Sequence, residues 1–431
     1  MRHTARWWLS LALLAVGCAT AADRPDYSSI PRWASRATAE ARGDVRTEAD
    51  GRRVAVRYPG WTTRDFGRFR TYAYDDVRPD PPVQRVEMPA GLTGDPARGR
   101  ALFLDRAKGP CTGCHLVPGD DVWPAGSVGP DLSTLGDRKL ADAYLYQQLW
   151  DPRVTFPATV MPPWGAQGVF TSQEVVHLVA YLQTLHGPVA AEKDPDRNPF
   201  TRSKPVGFGD NLDPTNNPAV LRAEGAEALW SAAGPSGKAC ADCHAGGPDK
   251  AMRGVATRYP RHDPTYGRVV ALEDWLSVHG SETTGRMLAV ESAENVDLTM
   301  RIKMASNGLP VAVDTRSPAA RAALARGKAL FDKRVGERNH SCADCHTPER
   351  GANKFLGGRL LADVTTGLTR HFPTWRTSQN DAWDMRRRMQ WCMTPLGMNM
   401  LAADSIEYAE LELYLAQFDV GKPMSVPGIR H

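Results

Sequence analysis

Apolar residues recur at three- and four-residue spacing in several parts of the chain and predict helices there. The stretch TSQEVVHLVAYLQTL from Thr171 opens with a threonine-x-x-glutamate start signal and then runs as an amphipathic helix. The stretch DSIEYAELELYLAQF from Asp404 has the same form, and SAENVDLTMRIKMA from Ser292 is its counterpart between them. Upstream of each lies a shorter helical run that ends in a small-apolar-aromatic cluster: GRALF at 99–103, EALW at 227–230 and GKALF at 327–331. The stripes themselves are core-packing signals and carry no chemistry. Their threefold recurrence predicts three small helical units.

Composition changes this picture little. A chain of 431 residues is long enough for two to four compact units, and 42% hydrophobic with 24% charged residues is ordinary for a water-soluble protein. The net charge of +4 excludes a strongly basic nucleic-acid binder on charge alone, and no nucleic-acid motif is present. The N-terminus, MRHTARWWLSLALLAVGCATAAD, has arginines, then an apolar run, then small residues, and reads as an export signal over residues 1–21. Cleavage before Cys18 would leave a lipid anchor, and cleavage after the A-x-A at 19–21 would leave a soluble protein; both point to the periplasm. Residues 22–93 form an Arg-, Pro- and Tyr-rich extension, and 188–215, dense in Pro, Asp and Asn, is expected to be a linker.

The remaining units, 94–187, 216–315 and 316–431, each contain one C-x-x-C-H: CTGCH at 111–115, CADCH at 240–244 and CADCH at 342–346. This spacing lets two thiols add to the two vinyl groups of one porphyrin while the next histidine ligates the iron. A redox dithiol or half of a zinc site uses C-x-x-C as well, but three copies with the histidine in an exported chain favour haem. The attachment cysteines are then Cys111, Cys114, Cys240, Cys243, Cys342 and Cys345, the proximal ligands His115, His244 and His346, and the cofactors three covalently bound haem c groups. The predicted fold is all-α: three cytochrome c-type domains, the second and third packed as one dihaem unit.

Distal ligands follow less directly. In FPATVMPPWG, Met161 lies 46 residues after His115 in a proline-stiffened loop suited to a thioether donor. The same interval after His346 lands on Cys392, the one cysteine outside the attachment motifs and the export signal. A thiolate there would be a soft, anionic ligand and a nucleophile. The alternatives are Met398 or Met400 as ligand, or a buried inert cysteine. For the second unit His279, His262, Met252 and Met287 are all in reach, and His279, in the helix-like LEDWLSVHGSE, is preferred.

The chain resembles the SoxAX cytochromes of the sulfur-oxidising system. VGPDLS at 128–133 and TVMPPWG at 159–165 are similar to the SoxX subunit; GVATRYPRHDP, the two CADCH motifs, FPTWR and RRMQWCM are similar to a dihaem SoxA subunit. The resemblance implies a fusion of the two that joins thiosulfate oxidatively to a cysteine of a SoxYZ carrier protein and passes electrons to a cytochrome c. It implies that Cys392 is the active-site cysteine. Arg376, Arg387 and Arg388 are the guanidinium groups close enough in sequence to hold the sulfonate, although a run such as MRRRM is equally a solvated helix face. Two other functions fit the same residues: a thiosulfate dehydrogenase that forms tetrathionate, and an electron-transfer module without enzymatic activity.

Overall fold

A computed structural model describes residues 82–105, 108–109, 111–119, 125–187, 216–334, 340–393 and 403–430, with two short strands, β1 (Val45–Thr47) and β2 (Arg53–Ala55), paired antiparallel. The export segment with Cys18, the linker 188–215, and Met398 and Met400 lie outside the described residues. The described part is predominantly helical. No helix in it is long and apolar enough to cross a membrane.

The first unit contains α1 (Pro96–Leu104), α2 (Asp142–Trp150) and α3 (Ser172–Gln183). Asp95 caps α1 by accepting from the amides of Ala97 and Arg98, and Thr171 and Glu174 close a reciprocal capping box on α3. Helices α1 and α3 cross at Gly99, where a Cβ would stand 2.0 Å from the His177 carbonyl oxygen. Only glycine permits that approach. One turn on, Phe103, 2% exposed, meets Tyr181 edge-on at 5.4 Å between centroids. Burying such a ring contributes roughly 2–3 kcal/mol. The end of the N-terminal extension lies along this unit, with the Gln84 and Val86 amides donating to the side chains of Asp151 and Gln147.

The second unit has α4 (Ala219–Ser231), a hairpin of β3 (Arg261–Asp263) and β4 (Arg268–Val270), α5 (Leu272–Thr284) and α6 (Ala293–Met304). Ser292 caps α6 through the Asn295 amide. The third unit begins with α7 (Pro318–Asp332) and the hairpin β5 (Phe355–Leu356) and β6 (Arg359–Leu360). It continues through β7 (Thr374–Arg376), β8 (Asp381–Trp383), α8 (Met385–Met393) and α9 (Ile406–Ala416) to β9 (Gly428–Arg430), which adds parallel to β7. Helix α9 starts one residue later than the sequence suggests, because Ser405 and not Asp404 takes the N-cap backbone geometry. Gly327 of α7 repeats the role of Gly99: its Cβ would lie 2.3 Å from the Glu410 carbonyl oxygen of α9.

An all-α expectation leaves out the hairpins, whose strands of two or three residues are too short for an alternating pattern to be seen. The second and third units share one hydrophobic core, in which Ala219, Trp230, Leu276 and Met300 pack with Trp375, Leu413 and Ile429. The first unit meets the third through backbone. The Ser127 amide donates to Phe355 O at 2.8 Å, Gly357 N to Gly113 O at 2.9 Å and Gly358 N to Ala125 O at 3.0 Å. Arg334 adds a bond from Nη2 to Thr159 O at 2.9 Å.

Candidate haem and sulfur site

The C-x-x-C-H segments follow the first helix of each unit, the first as a 3-10 turn from Cys111 to Gly113 and the two CADCH copies as single helical turns, Cys240–Cys243 and Cys342–His346. In both CADCH copies the aspartate reaches back to cap its own turn: Asp242 accepts from the Ala239 amide at 2.7 Å and Asp344 from the Ser341 amide at 3.0 Å. Asp344 is also bonded by Arg334 and Arg350, and His340 and Arg334 hold its carboxyl well below the usual carboxylate range against the effect of burial. The first motif has Gly113 in that place, and its carbonyl is the one that accepts from Gly357 of the third unit. The Cys345 thiol is pushed up first by burial and then by the nearby Cys114, so the first and third motifs stand close together.

The His115 ring contacts Pro130 O through Nδ1 at 2.7 Å, and the His346 ring contacts Ala362 O through Nδ1 at 2.8 Å. A carbonyl only accepts, so each Nδ1 carries the proton and each Nε2 presents its lone pair, as a metal-ligating histidine must. Burial lowers the His115 pKa and keeps it neutral. Burial also pushes the Cys342 thiol up to about 12, with Cys392 adding to the effect.

In the second unit the His244 and His279 rings are neighbours, with centroids 6.0 Å apart and planes inclined by 58°. Two imidazoles bound to one metal at about 2 Å per nitrogen have roughly this separation, so the pair fits a bis-histidine iron. Trp275 stacks on His279 at 5.5 Å and 12°. The competing residues sit elsewhere: His262 is on β3 opposite Val269, Met252 is buried in the core, and Met287 is 58% exposed. Met161 lies outside the helices, half-buried against the cluster that contains Cys111, with its amide donating to Thr159 Oγ1 at 3.0 Å.

Cys392 is on helix α8, so the 46-residue interval it shares with Met161 does not reflect a shared element. Its structural counterpart is His279. Each is the eighth residue of a helix that directly follows a hairpin, β3–β4 before α5 and β7–β8 before α8. The fourth residue of each helix touches the eighth: Trp275 stacks on His279, and Arg388 donates from Nη1 to Cys392 Sγ at 2.7 Å. Aligning LEDWLSVH with MRRRMQWC would have exposed this equivalence in the sequence. Burial alone would raise the Cys392 thiol, but the Arg388 charge, with the neighbouring His346, outweighs it and brings it down to about 6. Cys392 is therefore a thiolate at neutral pH, flanked by a histidine and a guanidinium.

The other arginines divide. Arg376 is buried, its Nε has no hydrogen-bond partner, and burial with the charges of Arg388 and Arg359 lowers it to about 9. Arg387 turns to Asp381, with Nη1 to Oδ2 at 2.8 Å, and lies over the Trp383 ring. Arg386, between them in sequence terms but fully buried, forms a two-bonded pair with Asp274 at 2.7 and 2.6 Å and also reaches Glu412 at 2.7 Å. The solvated face suggested by MRRRM is thus not what forms. Sequence reasoning missed Arg359, whose guanidinium lies 4.4 Å over the Trp391 ring. No local signal in GGRLL marks it.

Helical units that each carry a C-x-x-C-H motif make three cytochrome c-like regions. Residues 225–311 and 326–424 match the family described as SoxA/TsdA, cytochrome c domain, and residues 94–182 match cytochrome C oxidase, cbb3-type, subunit III. The chain is a distant homologue of SoxA. It is 29% identical to the L-cysteine S-thiosulfotransferase subunit SoxA of Paracoccus pantotrophus over 222 residues, 51% of this chain and 73% of that protein. The SoxA subunit of Pseudaminobacter salicylatoxidans is 29% identical over 216 residues, 50% of this chain and 73% of that protein. Among solved structures, SoxXA from P. pantotrophus matches with 27% identity and a TM-score of 0.47, over 50% of this chain and 80% of that one.

Proposed function

We propose that the chain is a periplasmic three-haem cytochrome that joins thiosulfate to a cysteine of a SoxYZ-type carrier, with a SoxX-like unit (94–187) fused to a SoxA-like pair (216–315 and 316–431). The observation that carries this reading is the Arg388 guanidinium on the Cys392 sulfur at 2.7 Å, beside the buried Arg376. When bound, the three haems would accept electrons one at a time and pass them to an acceptor cytochrome c. They would be held by the six attachment cysteines and by the pairs His115/Met161, His244/His279 and His346/Cys392.

The residues of the chain bind and orient. Arg388 keeps Cys392 ionised, and Arg376 and Arg388 hold the sulfonate of thiosulfate so that its outer sulfur meets the cysteine sulfur; charge-assisted bonds of this kind contribute about 1.5–3 kcal/mol each. Arg387, bound to Asp381, ties α8 to the β7–β8 hairpin. The overall change forms one S–S bond: carrier–SH and thiosulfate give carrier–S–S–SO3⁻, one proton and two electrons, the electrons leaving to the acceptor cytochrome.

The test is product analysis of the fully matured protein, with three haems per chain by pyridine haemochrome, given thiosulfate with and without a carrier protein. The proposal expects a carrier heavier by one thiosulfate-derived adduct and acceptor reduction that depends on the carrier. Tetrathionate formed equally well without carrier would favour the thiosulfate dehydrogenase reading instead.

A further inference from the structure

The end of the N-terminal extension lies outside the family match at 94–182 and runs along the first unit as an extended strap. Every second side chain turns inward: Gln84, Val86 and Met88 are half-buried, while Arg85 and Glu87 are exposed. Val86 and Met88 pack on the core of the unit. The strap backbone is bound by the end of α2. The buried Gln147 accepts from Val86 N at 2.8 Å and donates to Gln84 O at 3.0 Å, and Asp151 Oδ2 accepts from Gln84 N at 2.9 Å. The Gln84 side chain goes to Trp150, whose Nε1 donates to Gln84 Oε1 at 3.0 Å.

Trp150 and Asp151 are also the root of the loop that carries Met161. The chain leaves at Asp151, which caps the turn Pro152–Val154 by accepting from Arg153 N at 3.1 Å. It returns at Gly165 and Ala166, whose amides both donate to Trp150 O at 3.1 Å. The loop therefore closes on two adjacent residues. The indole covers the return: a Cβ on Gly165 would stand 2.3 Å from Trp150 Cδ2. Tyr146 stacks on the same indole at 5.8 Å and 16°, and Gln84 holds its N–H. Between Met161 and the root stand Pro162, Pro163 and Trp164, all buried. Two fixed proline φ angles pass a displacement of the root on to Met161 instead of absorbing it.

We propose that Gln84 is a positioning residue for Met161: the extension locks the indole that closes the root of the loop, and with it the hold of the thioether on the iron of the first unit. This deepens the reading of Met161 as the distal ligand of the first haem and rests on it.

Two variants separate the bond from the packing. Gln84→Met keeps most of the volume and removes the acceptor, and Gln84→Glu keeps an acceptor oxygen. Both are studied as oxidised full-length holoprotein shown to hold three haems. Hydrogen exchange at the Gly165 and Ala166 amides assumes nothing about the ligand and should quicken about fivefold in Gln84→Met, the loss of one neutral hydrogen bond. Imidazole is then titrated in and followed by the loss of the thioether-to-iron charge-transfer absorption, which of the three ligand pairs only His115/Met161 can give. Imidazole binds only where Met161 has let go, so its affinity should rise by about the same factor in Gln84→Met and stay near the parent in Gln84→Glu. Parent-like exchange or parent-like imidazole affinity in Gln84→Met would overturn the proposal, even if the variant melts lower, because Gln84 would then be structural only. Equal effects of the two variants would overturn the role of the bond. A parent without the charge-transfer absorption would overturn the reading of Met161 and the proposal with it, whereas its presence beside a parent-like Gln84→Met would overturn the proposal alone.

Discussion

Replacing Arg386 with methionine tests how the sulfur-bearing helix is held. Arg386 is fully buried and makes four bonds: two to Asp274 of α5, at 2.7 and 2.6 Å, one to Glu412 of α9 at 2.7 Å, and one to the Ala403 carbonyl at 2.6 Å. These partners belong to both the second and the third unit, so one side chain ties α8 to the helix that carries His279 and to the C-terminal helix. Methionine fills much of the volume but leaves two buried carboxylates without their cation. Breaking a buried ion pair from one side costs about 3–5 kcal/mol. In a unit of this size each kcal/mol shifts Tm by about 2–4 °C, so the variant should melt roughly 6–20 °C below the parent. Thermal unfolding of the fully haem-loaded protein, followed by far-UV circular dichroism, measures it. Pairing Arg386→Met with Glu412→Met removes one orphaned carboxylate and should restore part of the loss. A single variant that melts within 2 °C of the parent would refute the reasoning, because the network would then contribute nothing net.

Asp384 gives a prediction in pH. Burial, reinforced by Glu273, raises its pKa from 3.8 to about 6, although its carboxylate accepts from the Arg387 amide at the start of α8. A raised acid favours the folded state fully below pH 4 and loses that contribution as pH rises through 6; the full shift corresponds to about 3 kcal/mol. Asp384→Asn, which keeps the amide acceptor, should therefore match the parent in stability at pH 4 and exceed it by up to about 3 kcal/mol at pH 8 in urea unfolding; equal differences at both pH values would contradict this. Met161→His should lower the potential of the first haem in a redox titration, since a thioether ligand holds c-type iron at higher potential than imidazole. An unchanged potential would mean that another residue is the ligand.

Much of the helical frame was legible because its signals are local. Thr171 and Glu174, or Ser292 and the amide it caps, lie within four residues of each other, and the aromatic clusters at Phe103, Trp230 and Phe331 mark where each first helix packs. The attachment motifs are local for the same reason. What escaped was decided at a distance. MRRRM reads as solvated because the carboxylates that bury Arg386 come from 112 and 26 residues away. Arg359 meets the Trp391 ring, 32 residues on, only because a two-residue strand folds back beside the helix. The kinship of Cys392 with His279 was hidden for another reason: counting from the proximal histidine gives different intervals in the two units, while counting from the start of the helix gives the same one.

The central claim is that Cys392 handles the substrate sulfur as well as facing His346, and Cys392→Met tests it most directly. Methionine remains a good donor to c-type iron, so an electron-transfer role would survive the change. The measurement is the rate of thiosulfate- and carrier-dependent reduction of an acceptor cytochrome by a variant shown to hold three haems and to melt like the parent. The account predicts loss by orders of magnitude, with reduction of the variant by an artificial donor preserved. Turnover at the parent rate would contradict it and leave the chain a carrier of electrons alone.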